Sequence, residues 1–191
     1  MKNQLLLKLL TFVFVFGLSV QSSFAQMEIK VSPLGLLFGS FKFQYEYGIS
    51  ENMGIELTPR IRFGTQKIAG VKYSQSGFGL GANYRYYFNP SKSIDKFYGG
   101  VYCNYSGGTL KVDTDKITNT DLAVGFLFGY KVVSSNEKLI FDFNVGGGRA
   151  LIRKFDDGTG TSSVNIADIP FFNWDIVSAL SVGYRFNSGK K

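Results

Sequence analysis

The chain has 191 residues, with 21 Lys and Arg against 14 Asp and Glu, and its formal net charge is +7. Charged residues make up only 18% of it, below the roughly 25% of ordinary soluble domains, while aromatic residues reach 16%, too many for a disordered chain. A single Cys excludes an internal disulfide, and the absence of His excludes the active sites and metal sites that depend on imidazole. The length suits one folded domain, or two small ones at most. We expect a protein that is not an enzyme and that holds no cofactor or metal, although an enzyme that uses only carboxylates stays open.

The beginning of the chain has the three parts of a secretory signal peptide. Two lysines make the start basic, Leu9–Val20 is apolar, and small residues lead to a cleavage site after Ala25. A membrane-anchor helix is the alternative, but the apolar run is shorter than the roughly 20 residues that a span needs. The pattern predicts a cleaved signal peptide over residues 1–25 and one mature domain over residues 26–191. An exported chain without a block of basic residues is not expected to bind nucleic acid.

Beyond the predicted signal peptide, apolar side chains alternate with small or polar ones, a period of two residues that is typical of β-strands. In 41–49 the odd positions are aromatic or apolar, and the even positions are Lys, Gln, Glu and Gly. The alternation recurs along the chain and is clearest in the last segment. The eight predicted strands cover residues 28–37, 41–49, 53–63, 77–88, 97–105, 121–132, 139–146 and 172–186.

The apolar face of these strands carries large aromatic side chains along nearly its whole length. A soluble β-sandwich also alternates, but its large side chains point into the core. In a membrane barrel the large side chains face lipid, and the interior takes the Gly, Asn and charged residues of the other face. Strands of about 9–11 residues also match the span of a tilted strand. The sequence therefore predicts an all-β fold, an eight-stranded antiparallel up-and-down transmembrane β-barrel.

The connections between the predicted strands alternate in length. Short ones fall at 50–52, 89–95 and 134–137, and long ones at 65–76, 107–120 and 151–171. Outer-membrane barrels join their strands by short periplasmic turns and long outer loops, so the pattern predicts that orientation. Basic residues in or beside the long connections are either solvated or in contact with the phosphates of lipopolysaccharide.

Two further features concern the strands themselves. Outward tyrosines gather near the periplasmic ends of the even strands, and Trp174 stands near the other end of the last strand, which predicts two aromatic girdles. Pro59 interrupts a predicted strand and lacks a backbone N–H, so we expect a β-bulge there.

The best candidate site residues are charged residues at the strand positions that are predicted to point into the barrel. A hairpin centred on Glu51 places Glu46 opposite Glu56, and Arg85 lies at a similar height on the next strand. Like charges that face each other in a narrow lumen need a cation between them. We predict a structural ionic cluster that fills the interior, and the alternative is a gate or ion path. The residues assigned to this cluster are Glu46, Glu56, Arg85, Arg185, Arg60 and Arg62.

Two stretches carry a resemblance to known proteins. The ending Leu180-x-Val182-x-Tyr184-x-Phe186 resembles the C-terminal signal of outer-membrane proteins, although five residues follow its Phe. The segment 33–41 with the Tyr-Glu pair after it resembles an uncharacterised family of small barrels common in Bacteroidetes, and the whole mature chain resembles the OmpA and OmpX class. The resemblance implies a location in the bacterial outer membrane, contact with its lipid, and recognition by the barrel-insertion machinery through the C-terminal aromatic strand.

Together these features predict a non-enzymatic outer-membrane barrel with a structural or surface-loop role and a plugged polar lumen. A small outer-membrane channel and an outer-membrane enzyme acting on lipid or peptide are the alternatives. The sequence of the long connections does not identify an extracellular partner.

Overall fold

Alternating side chains produce strands along most of the chain. The computed structural model describes residues 26–37, 39–68, 71–112, 115–156, 163–165 and 173–186. The predicted signal peptide lies outside the described residues. The strands are β1 Met27–Val31, β2 Ser40–Gly48, β3 Met53–Ile68, β4 Val71–Tyr87, β5 Lys96–Val112, β6 Asp115–Val133, β7 Leu139–Asp156, β8 Ser163–Asn165 and β9 Trp174–Arg185.

Eight of these strands close into a ring. β1 to β7 pair with their neighbours in chain order, β7 pairs with β9, and β9 pairs with β1, all antiparallel. The short β8 pairs only with the end of β7. The prediction of an all-β, eight-stranded antiparallel closed barrel is confirmed.

A short helix replaces the second half of the predicted first strand. β1 ends at Val31, and α1 covers Pro33–Leu37. Proline suits the first position of a helix because its fixed φ is helical and the N–H it lacks would be unpaired there. Gly39, with φ of 66°, follows the helix in the left-handed conformation that commonly ends one. Among the described residues, no helix is both long and apolar enough to cross a membrane.

Two of the predicted long connections are mostly strand. β3 pairs with β4 up to residues 68 and 71, and β5 pairs with β6 up to residues 112 and 115. These stretches hold only scattered apolar residues, such as Leu110 and Ile117, so they lack the sustained alternation by which the sequence marks a strand. Their backbones nevertheless continue the ladder beyond the apolar part of the barrel.

The bulge that we predicted at Pro59 is absent. β3 pairs with β4 without a shift of register, and Pro59 lies opposite Leu80. On the other side, the pairing of β2 with β3 skips from Lys42 to Tyr45, because the proline in between has no N–H to donate. The one register shift between β6 and β7 falls at Leu122.

The two faces of the barrel wall differ sharply in polarity. Along β7, Phe141 and Phe143 on the outer face are 50% and 54% exposed, whereas Ile140 and Asp142 between and beside them are fully buried. Similar alternation on the other strands covers the outside with exposed Leu, Ile, Val, Phe and Tyr. The charged and polar side chains therefore collect in the interior.

Candidate functional site

Eight charged side chains fill one end of the barrel interior. This plugged end carries the turns 49–52, 88–95 and 134–138. We call the eight residues the ionic plug, and its members are Glu28, Lys30, Glu46, Glu56, Arg85, Lys131, Asp142 and Arg185. They come from seven of the eight barrel strands, each at most 1% exposed, and their four acids and four bases balance in charge.

Lys30 lies at the centre of the plug. Its Nζ is 2.6 Å from Glu46 Oε2, 2.7 Å from Glu56 Oε2 and 2.5 Å from Asp142 Oδ2. Three converging carboxylates could in principle hold a metal ion. An ammonium group has three donors, so Lys30 supplies here the positive charge that such a set of oxygens requires.

Arg85 bridges the facing glutamates. Glu46 and Glu56 are register partners in the hairpin of β2 and β3. Arg85 Nη2 lies 2.5 Å from Glu56 Oε1, and Nη1 lies 3.1 Å from Glu46 Oε2 and 2.8 Å from Asp142 Oδ2. The guanidinium group thus joins β4 to three other strands through charge-assisted hydrogen bonds, which are stronger than neutral ones.

Lys131 and Arg185 extend the plug toward β1. Lys131 Nζ is 2.7 Å from Glu28 Oε2 and 2.8 Å from Glu46 Oε2. Arg185 donates to Glu28 Oε1 from Nε at 2.9 Å and from Nη2 at 2.6 Å. Arg185 is therefore connected to the facing glutamates through Glu28 and Lys131 rather than directly.

Two buried tyrosines complete the network. Tyr87 donates a hydrogen bond to Glu46, and Tyr98 on β5 donates one to Asp142 Oδ1 at 2.6 Å. The guanidinium of Arg85 stacks over the Tyr98 ring at 4.7 Å, a cation–π contact. With Tyr98, every strand of the barrel contributes a side chain to the plugged region.

The connection between β4 and β5 covers the plug. Ile94 is fully buried and packs with the inward tyrosines. Arg185 Nη1 donates to the Lys92 carbonyl at 2.6 Å, which ties this connection to β9. The Asp95 carboxylate accepts from the Lys92 N–H at 3.0 Å and fixes the turn. Ions and water that pass along the lumen would have to displace these contacts.

Arg60 and Arg62, which the sequence assigned to the cluster, lie away from it in the other half of the interior. Arg62 Nη2 donates to Ser106 Oγ at 3.0 Å. Both arginines line a cavity of about 450 Å³ toward the end opposite the plug, which we call the open end. A separate ion pair, Arg153 with Asp121 at 2.5 Å, stands beside the same cavity.

Four members of the plug were not assigned to the predicted cluster: Glu28, Lys30, Lys131 and Asp142. All four have the inward phase, which is visible in the sequence. Their grouping depends on the closure of β9 onto β1 and on the register of β6 with β7, where Lys131 lies opposite Asp142. Counting residues outward from a hairpin turn predicts only the pairs within that hairpin.

Comparison of the chain with protein-family models finds no match, and a search of curated proteins finds no similar sequence. The fold and the plug are therefore the basis for inferring a function.

Proposed function

We propose that the chain is a non-enzymatic β-barrel protein of the bacterial outer membrane, with a structural or surface-contact role and a lumen closed by the ionic plug. The observation that carries the proposal is the inverted polarity of the wall. Phe126, Phe128 and Ile176 on the outer face are 67%, 55% and 79% exposed, while the charges of the plug are buried. Membrane barrels have this arrangement, with an apolar outside and a polar inside.

The cost of exposing apolar surface to water also supports a lipid environment for the outer face. Soluble monomers rarely expose contiguous apolar patches larger than a few hundred Å², and here large apolar side chains cover every strand of the ring. Lipid would cover that surface. Over most of its length the ring also pairs the backbone N–H and C=O groups of neighbouring strands, as the hydrocarbon core of a bilayer requires, although β9 pairs over 174–181 only with β7.

The test is cell fractionation together with gel mobility before and after heating. We expect the protein in the outer-membrane fraction, and we expect the unheated sample to migrate as a compact species that heating converts to the unfolded mobility. Purified protein should also float with lipid vesicles in a density gradient. A protein found in the soluble periplasmic fraction without heat-dependent mobility would overturn the proposal.

The plug supports a closed lumen rather than a channel. Eight strands enclose an interior just wide enough for side chains. Arg85, Arg185, Tyr87 and Tyr98 are the largest fully buried side chains in it. In planar bilayers, we expect no steady single-channel conductance from the purified wild-type protein. Steady conductance would favour the channel alternative.

An enzymatic role has less support than a structural one. The carboxylates of the plug are held in ion pairs with Lys30, Arg85, Lys131 and Arg185, so they are engaged and screened from substrate. An activity screen on phospholipid and peptide substrates tests this. Turnover that is lost on substitution of an interior carboxylate would favour the enzyme.

The proposed partners follow from the two ends of the barrel. The aromatic alternation of β9, which includes Tyr184 and continues to Phe186, supports recognition by the barrel-insertion machinery during assembly. Basic residues near the open end, among them Lys111 and Lys116, support contact with lipopolysaccharide phosphates. Crosslinking to the insertion machinery should decrease when Phe186 is replaced by Ala.

A further inference from the structure

The barrel wall has a gap between β2 and β9 on the side of the open end. β1 ends at Val31, and its pairing with β9 reaches only Val182. β9 continues to Trp174, where it still pairs with β7. Among the described residues, no strand pairs with the other edge of β9 over 174–181.

The helix α1 and two polar side chains lie in this gap. α1 contacts both β2 and β9. Ser32 Oγ donates to the Leu180 carbonyl at 3.0 Å, and Lys42 Nζ donates to the Ser178 carbonyl at 3.4 Å. These single side-chain bonds take the place of the ladder that a longer β1 would form, so fewer hydrogen bonds join β2 and β9 here than join two paired strands.

A cavity of about 520 Å³ opens at the gap, and we call it the slit cavity. Its volume falls within the range of small-molecule sites, about 300–1,000 Å³. Its lining has an apolar part that includes side chains of the outer face and a basic part inside the barrel. The apolar part includes Leu34, Phe143 and Leu180, and the basic part consists of Lys42, Arg60 and Arg62.

The three basic residues of the slit cavity have no acidic partner within ion-pair distance among the described residues. Lys42 bonds to a carbonyl and Arg62 to a hydroxyl, and the buried Nε of Arg60 makes no hydrogen bond in the described part of the chain. The Lys42 ammonium is within electrostatic reach of Arg60 and Arg62 and also of the Glu56 carboxylate, which is already paired with Lys30 and Arg85 in the plug.

The Asp175 carboxylate is close enough to Arg60 to interact with it electrostatically. It also accepts a hydrogen bond from Tyr102 at 2.8 Å and lies 3.9 Å from Arg153. The slit cavity thus holds an excess of positive charge, in contrast to the balanced plug. Clustered like charges are unfavourable unless an anion joins them.

We propose that the slit cavity binds an amphiphile with one acyl chain and an anionic headgroup. The headgroup, a carboxylate or a phosphate, contacts Lys42, Arg60 and Arg62, and the acyl chain leaves through the gap along Phe143 and Leu180 toward the outer face. This inference rests on the proposed function, because the chain would continue into the surrounding bilayer. Arginine and lysine donors suit such oxyanions.

The experiment uses the full chain in phosphatidylcholine vesicles with spin-labelled stearic acid as the probe. We expect a motionally restricted spectral component for stearate that spin-labelled phosphatidylcholine does not show. The test variant replaces all three basic residues: Lys42→Gln, Arg60→Gln and Arg62→Gln. We expect its affinity for stearate to fall by at least about tenfold, because at least one charge-assisted contact is lost.

A matched control removes three exposed basic residues to which no binding role is assigned, so its net charge changes equally. Its substitutions are Lys138→Gln, Arg149→Gln and Lys154→Gln. We expect the control to bind stearate like the wild type. A second variant, Ala179→Phe, keeps all three cations but fills the cavity that Ala179 lines, and it should also lose the restricted component. Equal stearate binding by the triple variant and the control would overturn the proposal.

Two further measurements distinguish acyl-chain binding from the binding of free anions, and a failed slit cavity from failed membrane insertion. Inorganic phosphate in large excess should not displace stearate, because it lacks the acyl chain; full displacement would mark a free-anion site and overturn the proposal. Flotation of the same samples shows whether the barrel has inserted. An inserted barrel without restricted stearate contradicts only the slit-cavity inference, whereas a protein that fails to float contradicts the proposed outer-membrane function.

Discussion

At Glu46 a single carboxylate oxygen serves three bases. Glu46 Oε2 is within 3.1 Å of Lys30, Arg85 and Lys131. Because such oxygens are shared, removal of one base leaves unbalanced charge in a fully buried place. An uncompensated buried charge costs far more than an intact pair contributes.

The first prediction concerns Arg85. Arg85→Met should lower the free energy of unfolding by about 3–5 kcal/mol, because Glu46, Glu56 and Asp142 lose a shared cation. Urea unfolding in lipid vesicles, followed by gel mobility, measures the loss. The difference in unfolding free energy between the variant and the wild type should decrease as the pH falls. At lower pH a proton neutralises a carboxylate that has lost its arginine partner.

Two controls separate charge imbalance from lost packing. Arg149→Met changes an exposed arginine of the outer face and should shift stability by no more than about 0.5 kcal/mol. The double variant Arg85→Met with Glu56→Gln should be less destabilised than the sum of the two single variants. Additive effects, or an Arg85→Met barrel with the stability of the wild type, would contradict the plug as an energetic unit.

At this scale the sequence predicts contacts within one hairpin and little beyond. The pairing of Glu46 with Glu56 follows from counting outward from Glu51. The contact of Lys30 with Asp142 joins residues 112 positions apart and depends on ring closure. The prediction that Arg60 belongs to the cluster was wrong. Alternation along a strand shows that its side chain points inward, but its height along the barrel depends on strand tilt and stagger.

Among the strands, β7 offers a direct comparison of the two faces. A Cβ added at Gly148 would lie 2.6 Å from Tyr102 Oη and 2.7 Å from the Gly125 Cα, whereas one at Gly147 would meet nothing nearer than a carbonyl at 3.9 Å. Gly148→Ala should therefore destabilise the barrel by about 1–3 kcal/mol through overpacking. Gly147→Ala is the matched control, and the same urea titration compares them. Equal stability of the two variants would show that the interior yields to an added methyl group.

The elements that were predicted wrongly from the sequence have two causes. Residues 33–37 have apolar side chains that suit a strand, but proline and the glycine beyond them favour a short helix, and that local preference prevailed. Residues 107–112 and 115–120 carry few apolar side chains, Leu110, Val112 and Ile117, which is too short a pattern for periodicity to indicate the strands there. Where one face was consistently apolar, as in β7, the predicted strand was found, although it runs further than expected.

For the molecule as a whole, substitutions on the outer face test whether lipid surrounds the barrel. Phe128 is 55% exposed within β6 and lies on the outer face. Phe128→Arg should cost about 2–4 kcal/mol in a bilayer if it lies near the midplane. Ser135→Arg, in an exposed turn of the plugged end, is the control and should fold into vesicles like the wild type. Equal vesicle folding by both variants would contradict a lipid-facing surface at Phe128.

The orientation of the barrel gives the last prediction. β1 begins and β9 ends at the plugged end, where the Phe186 N–H bonds to the Met27 carbonyl. The connection between β7 and β9 leaves from the open end. If the proposed function holds and the short turns lie in the periplasm, as they do in outer-membrane barrels, the open end faces outward. An epitope tag inserted after Thr159 should therefore bind antibody on intact cells, and a tag after Lys191 should bind only after the outer membrane is permeabilised. The reverse labelling would place the plug at the cell surface, and the slit cavity would then open toward the periplasmic half of the bilayer.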